Sequence, residues 1–447
     1  MGHSDAAGGA VLPAAVLGAP PSGRTEIARI VGASVIGTVI EWYDFLIYGT
    51  ASALVFNRLF FPTFDPAAGT LAAFASYAVG FLVRPLGGML FGHFGDRIGR
   101  RAMLVTTMVL MGVGTFLIGC LPGYASIGLW APVLLVALRL LQGLGVGGEW
   151  SGAVLMAIEH APPGRRGLYG SLVQIGFAVG VGGSTATFLF LSATLPGPAF
   201  LAWGWRLPFL ASAVLIGFGL LVRLRLAETP AFARLRARGQ LARVPAFDVI
   251  ARHPRRFLIA IGLKVSEVAW VYVLTVFSIV YATGRLGLPR GLILEAILWG
   301  AVLELATLPL FGWLSDRIGR RPLYLAGAVV SAICAPAVFA LLDTREPAIV
   351  IVTIAVAMSL THGMLFAPEA AFLPELFGTR LRYTGSSLGC QIGAALAGGF
   401  APIVASALLA WSGATWPISA VLIALAALTL VATLAAPETA ATDIVRG

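Results

Sequence analysis

Nine ionisable side chains, Glu41, Asp44, Arg84, Arg139, Glu149, Lys264, Glu267, Glu304 and Glu369, stand in stretches that are otherwise almost wholly apolar. Left unpaired in hydrocarbon, each would cost ~2.5 to 3.5 kcal/mol on insertion scales, or about 20 to 30 kcal/mol together. No fold carries that penalty, so they must pair with one another or face a water-filled cavity. Glu41, Asp44 and Tyr48 fall at i, i+3 and i+7 and share one face of a helix. Two carboxylates that close resist double ionisation, which is chemistry for proton coupling, with Asp44 as first choice. The simpler alternative is a static ion pair to a neighbouring helix. Arg139, three residues before Gln142, stays charged; it either stabilises a nearby carboxylate or grips an anionic substrate with its fork of donors. Arg84, about 12 Å inside the end of its helix, has the same two readings. Lys264 is the only lysine in the chain. It either pairs with Glu267 one turn away or meets an anionic substrate. Glu369 follows Pro368, whose missing N–H permits a bend; with Glu304 these residues are candidates for a gate. His362 either titrates near neutral pH or is satisfied by a neighbour on its own helix.

The elements that must position these groups follow from composition. The 447 residues are 58% hydrophobic and 11% charged, too little polar surface to coat a soluble globule. Apolar stretches long enough to cross about 30 Å of hydrocarbon as helices recur along the chain. Twelve are expected, near 28–50, 68–92, 102–121, 129–158, 168–192, 205–225, 256–283, 291–314, 322–342, 347–374, 384–409 and 414–436. Arg97, Arg100, Arg101, Arg165, Arg166, the run from Arg223 to Arg256, Arg317, Arg320, Arg321, Arg380 and Arg382 all fall on one side of that pattern. Basic loops are retained in the cytoplasm, so both termini are expected there. The formal charge of +10 is then topogenic, and nucleic-acid binding is not expected, because the arginines are spread over many loops. Cys120, Cys334 and Cys390 lack metal or disulfide spacing. No cofactor or metal is expected, the proton being the coupling ion. The lipid bilayer is the one extended partner, and the chain is expected to act as a monomer.

The chain also repeats itself. The stretch Gly92–Arg101 ends Asp-Arg-Ile-Gly-Arg-Arg, as does Gly312–Arg321, at an offset of 220. A second echo pairs Gln174-Ile175-Gly176 with Gln391-Ile392-Gly393. Together they point to duplication of a six-helix unit. The expected division is a tail at 1–27, a six-helix bundle at 28–225, a basic linker at 226–255, a second bundle at 256–436 and a tail at 437–447. Within the repeated loop, Asp96, Arg97, Arg101, Asp316, Arg317 and Arg321 are candidates for a conformational latch. A carboxylate there can accept a hydrogen bond from an arginine or from a helix N-terminus of the other half. The buried charges themselves are mostly not repeated: Arg84 corresponds to Glu304 and Asp44 to Lys264, while Glu149 corresponds to Glu369.

The loop resembles the hallmark of the major facilitator superfamily, and the resemblance covers residues 28–439. More narrowly, Glu41-Trp42-Tyr43-Asp44-Phe45, Arg84-Pro85-Leu86-Gly87, Arg139-Leu140-Leu141-Gln142-Gly143, Gly147-Gly148-Glu149-Trp150, Trp205-Arg206-Leu207-Pro208-Phe209, Glu228-Thr229-Pro230 and Pro374-Glu375-Leu376-Phe377 are similar to the metabolite:proton symporter family. That resemblance implies an all-α inner-membrane protein with twelve transmembrane helices in two pseudo-symmetric six-helix bundles. It implies symport of a small carboxylate or zwitterion with a proton. Asp44, Glu41, Arg139 and Glu149 are then the coupling candidates, and Arg84, Arg139, Tyr48, Lys264, Glu267 and Gln142 the substrate candidates. The rivals are a proton-driven exporter, opposed by the lack of proline in Gly176–Gly183, and a non-transporting membrane sensor. An enzyme is the least expected reading, since the sequence shows no Ser/His/Asp, Cys/His or metal-spaced cluster.

Overall fold

A computed structural model of the chain describes residues 24–98, 100–147, 150–224, 245–378 and 381–442. Every regular element among them is helical. Eleven helices are long and apolar enough to cross a membrane, and Arg100–Cys120 supplies the twelfth. In chain order they are α1 (Val31–Leu59), α2 (Pro66–Phe91), α3 (Arg100–Cys120), α4 (Trp130–Glu159), α5 (Arg166–Thr194), α6 (Gly204–Leu221), α7 (Pro254–Arg285), α8 (Arg290–Ile318), α9 (Arg320–Leu342), α10 (Pro347–Glu375), α11 (Arg382–Ser412) and α12 (Trp416–Ala435). The first helix runs well past the end expected at residue 50, because Ser52–Phe56 continues it as a π-helical turn without a break. Of the linker expected at 226–255, residues 226–244 lie outside the described residues, as do 1–23 of the expected first tail. Pro245–Arg252 forms a short helix, and α7 starts at Pro254, a residue pre-set for a first helical turn.

Packing obeys the repeat. Within the first bundle α1 lies on α5, α2 on α4 and α3 on α6; within the second, α7 lies on α11 and α12, and α9 on α12. The bundles meet along two seams, α5 against α8 and α2 against α11, which exchange when six helices are added to each number. Small residues let the backbones close up, as expected where lipid removes the hydrophobic drive between helices. At Gly143 of α4 an added Cβ would sit 2.2 Å from the Gly80 carbonyl oxygen of α2. That atom is backbone and cannot swing aside. Gly143→Ala is therefore expected to force apart the two helices that carry Arg84 and Arg139, at a cost of about 1 to 3 kcal/mol. A lowered melting temperature of the purified protein checks this.

Among the described residues five π-helical segments interrupt the α-helices, at Ser52–Phe56, Val273–Phe277, Tyr281–Arg285, Met358–Gly363 and Ala394–Gly398. The first two occupy matching places in α1 and α7. In α10 the irregular turn lies at Met358–Gly363 and contains His362, whereas the helix runs on through Pro368 and Pro374 to Glu375. The slack expected at Pro368 is thus displaced about one and a half turns towards His362.

Candidate functional site

The two halves treat their buried charges in opposite ways. In the first bundle, α2 supplies Arg84 and α4 supplies Arg139, both buried. The Arg139 guanidinium lies 4.0 Å from the Phe45 ring, 4.3 Å from Tyr48 and 4.7 Å from Tyr77. Arg84 lies 4.0 Å from Phe45 and 4.5 Å from Phe81. Arg139 Nη1 donates to Gln142 Oε1 at 3.1 Å, but Arg139 Nη2 and Arg84 Nε have no hydrogen-bond partner. Among the described residues neither arginine forms an ion pair. Tyr272 of α7 closes the cluster from the other bundle, its ring 5.7 Å from Tyr77 and 5.1 Å from Phe81. Tyr48, expected to meet substrate, is spent locally: its hydroxyl shares a 2.8 Å hydrogen bond with Ser76.

Asp44 lies beside this cluster with 1% exposure. Its Oδ2 accepts from the Thr115 hydroxyl of α3 at 3.1 Å, Gln142 Nε2 donates to that same hydroxyl at 2.6 Å, and Gln142 in turn accepts from Arg139. A relay therefore links Asp44 to Arg139 through two neutral side chains, and the direct ion pair considered from sequence is not made among the described residues. Asp44 Oδ1 has no hydrogen-bond partner. The Thr115 hydroxyl also lies 3.0 Å from the Met111 carbonyl. Its single proton can point either way. Glu41 is buried one turn earlier on α1, and Glu149 lies outside the described residues.

In the second bundle the charges satisfy one another. Lys264 Nζ lies 2.7 Å from Glu267 and 3.0 Å from Glu369, so the pairing expected within α7 is present and a partner from α10 is added. Lys264 and Glu267, expected to meet substrate, are thus engaged within their own bundle. His362 finds its partners on other helices, Glu267 of α7 at 3.0 Å and Glu304 of α8 at 2.7 Å, rather than on α10 as sequence suggested. Proximity across 105 residues of chain, as for Lys264 and Glu369, leaves no mark in sequence spacing.

At the end of the molecule that holds the repeated loops, Asp316 joins the halves. Its two carboxylate oxygens accept the Gly167 and Leu168 backbone N–H groups at the start of α5, each at 2.8 Å, and Arg320 Nη1 donates to it at 2.8 Å. A carboxylate on a helix N-terminus satisfies two orphan donors and the helix dipole together. Arg320 also grips Glu375 at the end of α10 with Nε and Nη2, at 3.3 and 3.4 Å. Arg317 stacks on Trp313, and Arg321 donates to the Thr433 and Leu434 carbonyls, so neither spans the halves through these contacts. The side chains of Asp96, Arg97 and Arg101 lie outside the described residues. Arg320 and Glu375 were absent from the expected latch, although both stand in motifs visible in the sequence.

Beyond α12, Glu438 caps α9 by accepting the Arg320 and Arg321 N–H groups at 2.9 and 3.0 Å, where Gly319 turns the chain with φ 102°. A side chain at Gly319 would be strained by that φ and would meet Glu438 at 2.6 Å. Partial burial pushes the Glu438 carboxyl up, but the backbone donors of Ala440, Arg320, Arg321 and Thr439 outweigh it and hold the group below its ordinary value. Two further ion pairs cross between the bundles, Arg166 to Glu375 at 3.6 Å and Arg382 to Glu159 at 3.7 Å.

The family model for the Major Facilitator Superfamily matches residues 32–388 and 296–444. The chain belongs to the major facilitator superfamily. The transporter is 42% identical over 402 residues to the shikimate transporter of Escherichia coli K12, covering 89% of this chain and 92% of that one. It is 41% identical to the inner membrane metabolite transport protein YhjE of the same organism, covering 92% and 94%. It is 33% identical to a proline/betaine transporter of Salmonella typhimurium, covering 83% and 76%. Among solved structures, a crystal structure of a D-xylose-proton symporter superposes with a TM-score of 0.70 at 20% identity, over 92% of this chain and 98% of that one. The likeness to the solved structure shows the fold, and the relatives in sequence make the chain a multi-pass membrane transporter.

Proposed function

We propose that the transporter imports a small carboxylate together with a proton by alternating access, with Arg84 and Arg139 holding the substrate carboxylate between the bundles. The observation that carries this reading is the pair of buried guanidinium groups that have no carboxylate partner among the described residues. An uncompensated buried cation is costly, and two adjacent ones call for an anion. A substrate carboxylate gives both forks charge-assisted hydrogen bonds. The aromatic rings around them favour an anion over a quaternary ammonium, because their faces are already taken by the two guanidinium groups. Shikimate, named for one relative, is a carboxylic acid of this class. Tyr272 lets the second bundle feel occupancy of a site built mainly by the first.

Asp44 is the proton-coupling residue in this reading. Ionised, it accepts from Thr115; protonated, it donates to Thr115, which turns its own proton to the Met111 carbonyl. The same scaffold holds both states without moving a backbone. Through Gln142 the choice is felt at Arg139, which ties proton loading to the substrate site. The arginine-rich loops support a reading in which both termini lie in the cytoplasm of a bacterial cell, the protein spans its inner membrane, and the Asp316 junction is the cytoplasmic gate. We read the monomer as the working unit.

Proteoliposome uptake of a panel of di- and tricarboxylates, shikimate-like acids and betaines, with and without an inward proton gradient, tests the proposal. Uptake of a carboxylate that ignores the gradient would remove the symport claim. Asp44→Asn is expected to reduce gradient-driven accumulation more than about tenfold while slowing substrate counterflow far less. Equal loss of both would assign Asp44 a structural role.

A further inference from the structure

Five buried charged residues form one unbroken chain of contacts inside the second bundle. It runs from Glu304 Oε1 to His362 Nδ1 at 2.7 Å, from His362 Nε2 to Glu267 Oε1 at 3.0 Å, from Glu267 Oε2 to Lys264 Nζ at 2.7 Å, and on to Glu369 Oε1 at 3.0 Å. All five side chains are 0–5% exposed. Counting protons shows what the chain must hold. A neutral imidazole carries one N–H. His362 Nδ1 makes a hydrogen bond with Glu304, whereas Nε2 stands 3.0 Å from Glu267 as an ion-pair contact without hydrogen-bond alignment. A bare nitrogen lone pair that close to a carboxylate oxygen is repelled by it, so this contact too calls for a proton. Glu267, His362 and Glu304 therefore share at least two protons, either as imidazolium between two carboxylates or as imidazole beside one carboxylic acid. Both arrangements carry a net charge of minus one. Lys264 and Glu369 cancel each other, so the five-residue set keeps that charge.

One more proton makes the set neutral, and burial away from water favours neutrality. The place for it is visible. Glu304 Oε2 is buried and has no hydrogen-bond partner. An unbonded carboxylic acid oxygen there costs far less than an unbonded anionic one. Arg84 of α2, whose charge reaches Tyr272 and Cys390, is a further charge near the set, and the groups packed on the set from other helices are neutral. Phe177 and Gln174 come from α5, buried Tyr324 from α9, and Trp150 from α4 with its ring 5.8 Å from Lys264 Nζ; Thr429 of α12 is spent on the Gly262 carbonyl. Cys390 of α11 places its sulfur 3.8 Å from Glu369 Oε1.

We propose that Glu304, His362, Glu267, Lys264 and Glu369 form a second proton-binding centre, separate from Asp44, that takes up and releases one proton in each transport cycle. The proton arrives from water at the opened cleft, adds to the Glu304–His362–Glu267 segment and leaves to water on the opposite side, with no other bond made or broken. The other bundle provides the cover. The Phe177 ring lies 4.5 Å from the His362 ring, and Trp42 of α1 packs edge-on against Phe366 beside it. Parting of the bundles removes that cover and admits water to the imidazole. The inference rests on the proton-symport reading, and its test separates the two.

With the membrane potential clamped at zero in proteoliposomes, the logarithm of the steady-state accumulation ratio rises with the pH difference in proportion to the protons carried per substrate. The wild-type slope is expected to be about two, and that of Glu304→Gln about one. A Glu304→Gln slope equal to a non-zero wild-type slope overturns this centre and leaves symport standing. A wild-type slope of zero removes both. Should Glu304→Gln not be monodisperse on size exclusion, His362→Gln takes its place with the same expected fall and the same overturning result. Should both fail, an infrared pH titration of wild-type protein labelled with 13C-glutamate decides. A protonated glutamate band that titrates supports the centre, and its absence across the working pH range overturns it.

Discussion

Arg139→Gln is expected to weaken carboxylate binding by about 10- to 100-fold, the loss of one charge-assisted hydrogen-bonding group at ~1.5 to 3 kcal/mol. Titration of purified protein with the best substrate of the uptake panel reads this directly, and the KM in proteoliposomes should rise with it. The sign of the stability change sharpens the test. Arg139 is a buried cation flanked by Phe45, Tyr48 and Tyr77 with one terminal nitrogen unbonded. A residue kept there for the fold would lower the melting temperature when removed. A residue kept there for an absent anion carries desolvation that the empty protein gains nothing from. The melting temperature of Arg139→Gln is therefore expected to stay level or rise while binding falls. Arg139→Lys should recover little, because a point ammonium cannot present the planar fork. Undiminished affinity in Arg139→Gln would dismiss the anion site.

Asp316→Asn is expected to loosen the junction between the bundles by a comparable factor. Both carboxylate oxygens accept backbone N–H groups, from Gly167 and Leu168 at 2.8 Å each. An amide keeps one acceptor and turns its NH2 against the second N–H, donor facing donor, while the ion pair to Arg320 is lost. Losing one charged hydrogen bond costs about 1.5 to 3 kcal/mol, which moves a two-state equilibrium about 10- to 100-fold towards the form with this end open. Hydrogen exchange of peptides covering 166–171 should accelerate by that factor, and accumulation should fall because closing the gate becomes the unfavourable step. Exchange no faster than in the wild type would reduce Asp316 to a topological role.

The frame of this transporter was legible because each part is written locally. Twenty apolar residues specify a span, and the twice-written loop marks the repeat that the packing follows. The contact of Asp316 with a helix start of the other half was legible for the same reason, since a carboxylate at a helix end among cations has few uses. Lys264 with Glu267 could be read because i and i+3 meet on any helix. Its second partner, Glu369, could not, because that contact exists only once α7 and α10 pack together. His362 was read as a residue its own helix would satisfy. Its partners came instead from α7 and α8, and it sits in a π-helical turn that no residue in Met358–Gly363 announces. That Arg84 and Arg139 form no ion pair among the described residues was hidden for the converse reason: such an absence is a property of the packed interior and of no local stretch of sequence.

The two ion pairs that cross between the bundles have a consequence for ancestry. Arg166 lies 216 residues before Arg382, and Glu159 lies 216 before Glu375, so each half contributes one arginine and one glutamate at equivalent places. A seam of this kind is isologous, like that of a twofold homodimer. A single six-helix protomer meeting its own copy would make both bridges at once. Fusion into one chain would then free the two copies to diverge inside, one around its paired arginines and aromatic rings and the other around a chain of five charges, while the join between them went on obeying the symmetry of a protein half the size.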